Sequence, residues 1–249
     1  MRVRGRFAGD AIIVHMKSRD TASAPPFPAE AASLLLPGAA GAIEIAVAVP
    51  EEGARNGVAI ICHPHPLQGG TMFNKVVTTL DRALGELGLT TVRFNFRGVG
   101  QSEGVHDEGR GEADDLVTVA EWVRRERPGA ALWLAGFSFG SYVALRTAAR
   151  LAPQQMILIA PPVGRWDFSG IEWPSCPVLI VQGGDDDIVD PAAVAEWAAQ
   201  QEPPPTFVRM AEAGHFFHRR LIDLRGAVRN GVRDNVPPPL ANGTPAPAT

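Results

Sequence analysis

The chain has 249 residues, 45% hydrophobic and 20% charged, enough for one large α/β domain or two small ones with a sizeable core. A formal net charge of -4 leaves no basic footprint for nucleic acid, and no apolar run approaches the ~20 residues of a membrane span. The 2 cysteines, Cys62 and Cys176, lie far apart, which argues against a disulfide framework and for a reducing cytoplasm.

Residues 1–30 read as a poorly structured extension that ends in linker composition, Thr21-Ala22-Ser23-Ala24-Pro25-Pro26-Phe27-Pro28. Arg2, Arg4 and Arg6 make its start basic. The apolar run Ala11-Ile12-Ile13-Val14 is nevertheless too short for the core of a secretion signal. The folded domain is expected over residues 31–233. Residues 43–49 alternate and predict a strand, at the edge of a sheet. Val58-Ala59-Ile60-Ile61-Cys62 is continuously apolar, as in a strand buried on both faces; Cys62 reads as a small core residue. Val76, Val77, Leu80, Leu84 and Leu87 recur at helical spacing, and Gly88 closes that helix. A strand over 90–96 leads into the glycine-rich loop Arg97-Gly98-Val99-Gly100-Gln101-Ser102. A helix over 112–126 follows, acidic at its start and basic at its end. Beyond an apolar run at 132–135 come a further helix, strands at 156–160 and 177–181, a short helix at 192–200, a strand at 206–210 and a last helix over 216–228. The proline-rich stretch within 234–249 predicts a disordered tail. Strands that alternate with helices mean an α/β fold with a mostly parallel sheet, whose active site lies at the carboxyl ends of the strands.

Three features that follow strands carry chemistry. Gly136-Phe137-Ser138-Phe139-Gly140 stands between a strand and a helix. This is the pattern of a nucleophile elbow, in which a sharp turn presents a serine at a helix N-terminus. Glycines at 136 and 140 relieve the crowding that such a turn creates. Serine is a weak nucleophile and needs a base, and the base needs an orienting acid. Of His15, His63, His65, His106, His215 and His218, His215 lies between the last strand and the last helix, where a loop can deliver an imidazole over the sheet. His218 is placed in that helix, able to line the rim. Asp185, Asp186 and Asp187 follow an intervening strand and supply the acid candidates. An oxyanion hole needs two backbone N–H groups: Phe139 offers one, and the loop His63-Pro64-His65-Pro66-Leu67 offers the other. Pro64 and Pro66 have no N–H to give. His63 and His65 have a spacing that can ligate zinc, but no further ligands are evident, so no metal is assigned.

The elbow and the chain order Ser, Asp, His resemble the α/β-hydrolase superfamily. The segments around His63–Met72, Asn95–Gly104, the elbow and Gly214–His218 extend the resemblance to small bacterial serine hydrolases, over about residues 34–230. The resemblance implies Asp186 as the acid, in the pattern Gly183, Asp186, Val189, with Asp187 the rival. It implies His65 as the second oxyanion donor, with Leu67 next in line, and Arg97 as a loop anchor. Family members with a helical cap insert it where this chain has only residues 161–176, so a cap-less, open cleft is expected, with Trp166, Phe168 and Trp173 as an apolar rim. The resulting expectation is a cytoplasmic, cap-less α/β hydrolase that cleaves an ester or thioester. Ser138, His215 and Asp186 form its triad and Phe139 and His65 its oxyanion hole, with no cofactor, and its partner is a small acyl substrate. Alternatives are an amidase or peptidase of the same fold, and a non-catalytic scaffold.

Overall fold

The computed structural model describes residues 23–240; the predicted N-terminal extension lies outside them up to residue 22, and the predicted tail from residue 241. Eight strands form one sheet in the order β1-β2-β4-β3-β5-β6-β7-β8. These are β1 (Ala32–Gly38), β2 (Gly41–Ala48), β3 (Gly57–Cys62), β4 (Thr90–Phe94), β5 (Ala131–Phe137), β6 (Gln155–Ile159), β7 (Val178–Gly183) and β8 (Thr206–Met210). β1, β2 and β4 pair antiparallel and every pairing from β4 to β8 is parallel. The central strands β3, β6 and β7 are buried at every residue, which accounts for the apolar runs Val58–Cys62, Met156–Ile159 and Val178–Val181 within them.

Helices cover both faces. α1 (Lys75–Gly85) and α5 (Leu221–Val232) pack on one side against Ile61, Trp133 and Ile157. α2 (Arg110–Glu126), α3 (Phe139–Leu151) and α4 (Pro191–Ala199) cover the other, where Trp122, Leu134 and Leu158 meet. Alternate residues of β5 therefore serve opposite cores, as the two-residue period of a strand requires.

Several expectations need correction. The strand at 43–49 is not the edge. β1 lies outside it, joined by a hairpin that turns on Ala39 and Ala40, with Gly38 opposite Gly41. The last helix starts at Leu221, not Phe216, because Phe217 (φ 51°) and Arg219 (φ 62°) adopt left-handed conformations that no α-helix accommodates. His218 consequently sits in an exposed turn before α5.

Both predicted flexible ends are partly docked. Within the extension, the Pro25 carbonyl accepts from Trp122 Nε1 at 2.8 Å, and Phe27 stacks on the Trp122 ring at 4.8 Å. Within the tail, Asn56 N–H donates to the Pro238 carbonyl at 3.0 Å, Leu240 N–H to the Ala54 carbonyl at 3.0 Å, and Arg55 Nη1 to the Pro237 carbonyl at 2.8 Å. Proline-rich sequence lacks N–H groups but keeps its carbonyls, so it can lie as a strap on any segment with free donors.

Trp122 is fully buried between the sheet and the 23–30 segment. Trp122→Ala is expected to lower the unfolding free energy by about 3–5 kcal/mol in urea titration. Phe27→Ala, whose ring is only half-buried, is expected to lower it by less.

Candidate active site

The elbow is built by close approach. A Cβ on Gly140 would lie 2.4 Å from the Cys62 carbonyl oxygen, and one on Gly136 would lie 2.3 Å from the Gly140 carbonyl carbon. With both glycines bare, β5 runs directly into α3. Ser138, between them, is held at φ 52° and ψ -120°, a strained conformation for a residue with a side chain. Two bonds clamp it. Ser138 N–H donates to the Ile159 carbonyl at 2.8 Å, and the buried Ser141 hydroxyl lies 2.7 Å from the Gly136 carbonyl and 3.0 Å from that of Ile159.

His215 and Asp186 converge on this serine. His215 Nε2 lies 3.0 Å from Ser138 Oγ, and His215 Nδ1 lies 2.8 Å from Asp186 Oδ2. A proton on Nδ1, donated to the carboxylate, leaves Nε2 as an acceptor for the serine hydroxyl. The loops that carry Asp186 and His215 are tied together. Gly184 N–H donates to the Met210 carbonyl at 2.7 Å and Asp185 N–H to the Ala213 carbonyl at 3.0 Å. A Cβ on Gly183 would lie 2.3 Å from that Ala213 oxygen.

Asp186 alone of the three aspartates is buried; Asp185 and Asp187 are exposed. Its carboxylate accepts from Gln182 Nε2 (2.9 Å), Ile188 N–H (2.9 Å) and Val189 N–H (2.8 Å) besides His215. Burial works to raise its pKa, but His215 and the two backbone N–H groups outweigh it, so the carboxyl titrates below the usual aspartate range. Sequence reasoning missed Gln182, although a polar residue at the end of an apolar strand, four before the acid, was a usable signal.

Phe139 and His65 both line the cleft beside Ser138. Neither backbone N–H is taken by a protein acceptor among the described residues. The His65 loop is compact: Gln68 and Gly70 N–H both donate to the His65 carbonyl. A Cβ on Gly70 would lie 2.0 Å from the Pro64 carbonyl oxygen.

His63 is fully buried beneath that loop. Its Nδ1 lies 2.6 Å from the Pro64 carbonyl, and Phe96 N–H donates to its Nε2 at 3.0 Å. The two partners fix a neutral ring that splints the loop to the end of β4. Burial pushes its pKa down to about 4, against the bond to Pro64, which raises it. His106 stands behind the site, its ring 4.8 Å from that of His65, with Nδ1 2.7 Å from the buried Glu112 at an angle short of a hydrogen bond. Arg97 binds Asp115 through Nε and Nη2, the latter at 2.7 Å, and lies outside the cleft lining. His15 is outside the described residues.

The cleft holds about 210 Å³. Trp166 forms one wall, against Phe139 (4.9 Å) and Tyr142 (5.1 Å). Phe168 and Trp173 instead pack on Trp197, away from the cleft. Gln68, Asn74 and Arg165 also line it and were not foreseen. Among the described residues, no group of three or more His, Cys, Asp or Glu could hold a metal ion, and no helix is long and apolar enough to cross a membrane.

An elbow serine at the carboxyl edge of a mostly parallel, helix-covered sheet, with no inserted cap, defines a class. The chain belongs to the α/β-hydrolase family, among its small, cap-less serine hydrolases. The family model for the α/β hydrolase fold matches residues 59–167. A lid-less α/β serine hydrolase from Xanthomonas campestris is 55% identical, with a TM-score of 0.83 over 89% of this chain and 100% of that one. An α/β serine hydrolase homologue from Coxiella burnetii is 46% identical, with a TM-score of 0.79 over 82% of this chain and 99% of that one. An uncharacterised protein of Rickettsia prowazekii is 32% identical over 183 residues, 70% of this chain and 77% of its own length.

The neutral state of His63 has a consequence in acid. Its folded pKa of about 4 is below the unfolded value of 6.5, so the unfolded chain takes up this proton first. The contribution of His63 to stability is therefore full above pH 6.5 and is lost as pH drops towards 4, by roughly 3 kcal/mol at 1.36 kcal/mol per unit. Urea titrations at pH 7 and pH 4.5 are expected to show the loss, and His63→Asn to show a shallower one.

Proposed function

We propose that this chain is a serine hydrolase that cleaves esters or thioesters through an acyl-enzyme on Ser138. One observation carries the reading: the continuous relay from Ser138 Oγ through the His215 ring to Asp186, at 3.0 and 2.8 Å. In this reading His215 Nε2 takes the hydroxyl proton as Ser138 attacks the acyl carbonyl. Asp186, ionised and held by three further donors, keeps the Nδ1–H tautomer and stabilises the imidazolium. The Phe139 and His65 N–H groups receive the negative charge on the carbonyl oxygen, assisted by the N-terminus of α3. His215 then protonates the leaving alcohol or thiol. Water, deprotonated by the same ring, attacks the acyl-enzyme and releases the acid.

Asp186 is preferred to Asp187 as the acid because only Asp186 is buried against the imidazole. Labelling with a fluorophosphonate and hydrolysis of p-nitrophenyl esters test the reading together. Wild type is expected to react in both assays and Ser138→Ala in neither. Absence of labelling in wild type would favour a non-catalytic scaffold, and turnover of anilides faster than esters would favour an amidase. Asp186→Asn is expected to lower kcat by about 10⁴, through the wrong imidazole tautomer. Asp187→Asn is expected to stay close to wild type, and the opposite result would move the acid to Asp187. Gly70→Ala, which drives the His65 loop away from the Pro64 carbonyl, is expected to lower kcat by about 10²–10³, as for loss of an oxyanion donor.

A further inference from the structure

Besides His65 and His215, the cleft lining carries one basic side chain, Arg165, and no aspartate or glutamate. Its guanidinium is anchored, with Nη1 donating to the Ile188 carbonyl at 3.0 Å, in the loop that follows Asp186. That bond uses one of five N–H groups. Nε and Nη2 donate to nothing, and no ion pair neutralises Arg165, among the described residues. Asp167, two residues on, accepts through Oδ1 from the backbone N–H and hydroxyl of Ser169 and makes no ion pair with Arg165.

The remaining polar lining is rich in donors. Asn74 uses Oδ1 to cap α1 through Val76 N–H at 2.9 Å, and its amide NH₂ has no partner among the described residues. His65 Nδ1 accepts from Leu67 N–H at 3.2 Å, which puts the ring proton of the neutral form on Nε2. A wall with a pre-positioned guanidinium and unspent N–H groups, cleared of carboxylates, complements negative charge.

On the acyl-hydrolase reading above, we propose that Arg165 is a specificity-determining residue that selects substrates bearing a carboxylate or similar anion near the scissile ester. The anion pairs with the free Nε and Nη2 edge of Arg165 while Ser138 meets the carbonyl. The planar fork suits a carboxylate bidentately, which a lysine does not reproduce.

The test uses two substrate pairs. Mono-4-nitrophenyl glutarate and its methyl ester place the charge on the acyl side, and 3-butyryloxybenzoate and its methyl ester place it on the leaving group. The readout is the ratio of kcat/KM for the anion over that for its neutral ester, in wild type, Arg165→Gln, Arg165→Lys and Arg165→Glu. In at least one pair the wild-type ratio is expected to fall about tenfold to a hundredfold in Arg165→Gln, the scale of a charge-assisted hydrogen bond. It should fall further in Arg165→Glu, recover in part in Arg165→Lys, and decline with added salt. Ratios that do not differ between wild type and Arg165→Gln in either pair would overturn the assignment. If the neutral esters are still hydrolysed in a Ser138-dependent way, only the role of Arg165 fails. If no ester turns over, the hydrolase reading fails with it.

Discussion

The architecture depends on one close approach, the contact of Gly140 with the carbonyls of Cys62 and His63. It brings the first turn of α3 against the carboxyl end of β3 with no side chain between. The chain from β5 must then reverse within a single residue, and Ser138 adopts φ 52° as a result. Such strain is of order 1–3 kcal/mol and persists only where the surroundings over-determine it. Here they do, because Ser141 and the Ser138 N–H bind the turn to the end of β6. The same approach places the Phe139 N–H beside the His65 loop, since that loop continues from β3. One steric fact thus positions the serine, a helix terminus and the backbone N–H of Phe139 together.

The two histidines that matter most are both buried but lie in different electrostatic settings. His215 faces a carboxylate, so a positive charge on its ring is balanced within 2.8 Å. His63 faces a carbonyl on one nitrogen and an N–H donor on the other. Protonating Nε2 of His63 would break the bond to Phe96 and leave a buried, unpaired charge, which proteins avoid at large energetic expense. Residue type alone therefore assigns neither role. The partners do, and two of them, Phe96 for His63 and Asp186 for His215, come from loops well removed in sequence.

This explains what could be read from the chain and what could not. Fully buried strands, amphipathic helices and the Gly-x-Ser-x-Gly turn are local consequences of burial and sterics, so their sequences carry them. Asp186 could be chosen only through a resemblance. Its distinction from Asp185 and Asp187 is the turn onto Ile188 and Val189 N–H, and three consecutive aspartates look alike. The β1–β2 hairpin was missed because Ala39-Ala40 lacks the Asn-Gly or Asp-Gly signature of tight hairpins. The start of α5 was misplaced because Phe217 and Arg219 show no outward sign of left-handed backbone. Phe217 is fixed there as a core plug, a tertiary demand that overrides its local preference. The docking of Pro25 on Trp122 and of Pro237 on Arg55 is likewise invisible, since composition reports the absence of donors and not the presence of acceptors.

The short segment between β6 and β7 carries more than its length suggests. It is too brief to roof the cleft, yet it contributes Pro162, Arg165 and Trp166 to its wall. Trp166 packs on Phe139, the residue after the serine, and Arg165 is pinned to Ile188, two residues after Asp186. Each side chain is therefore referenced to a different member of the relay. On the proposed function, a substrate group that touches this wall is positioned relative to Ser138 and Asp186 at once. In a cleft of about 210 Å³ that opens to solvent, discrimination has to come from such fixed contacts rather than from enclosure. A hydrophobic surface would hold many acyl groups about equally well, whereas an anchored charge divides them by the sign they carry. On the proposed role of Arg165, selectivity is accordingly concentrated in the few polar side chains that the loops hold still.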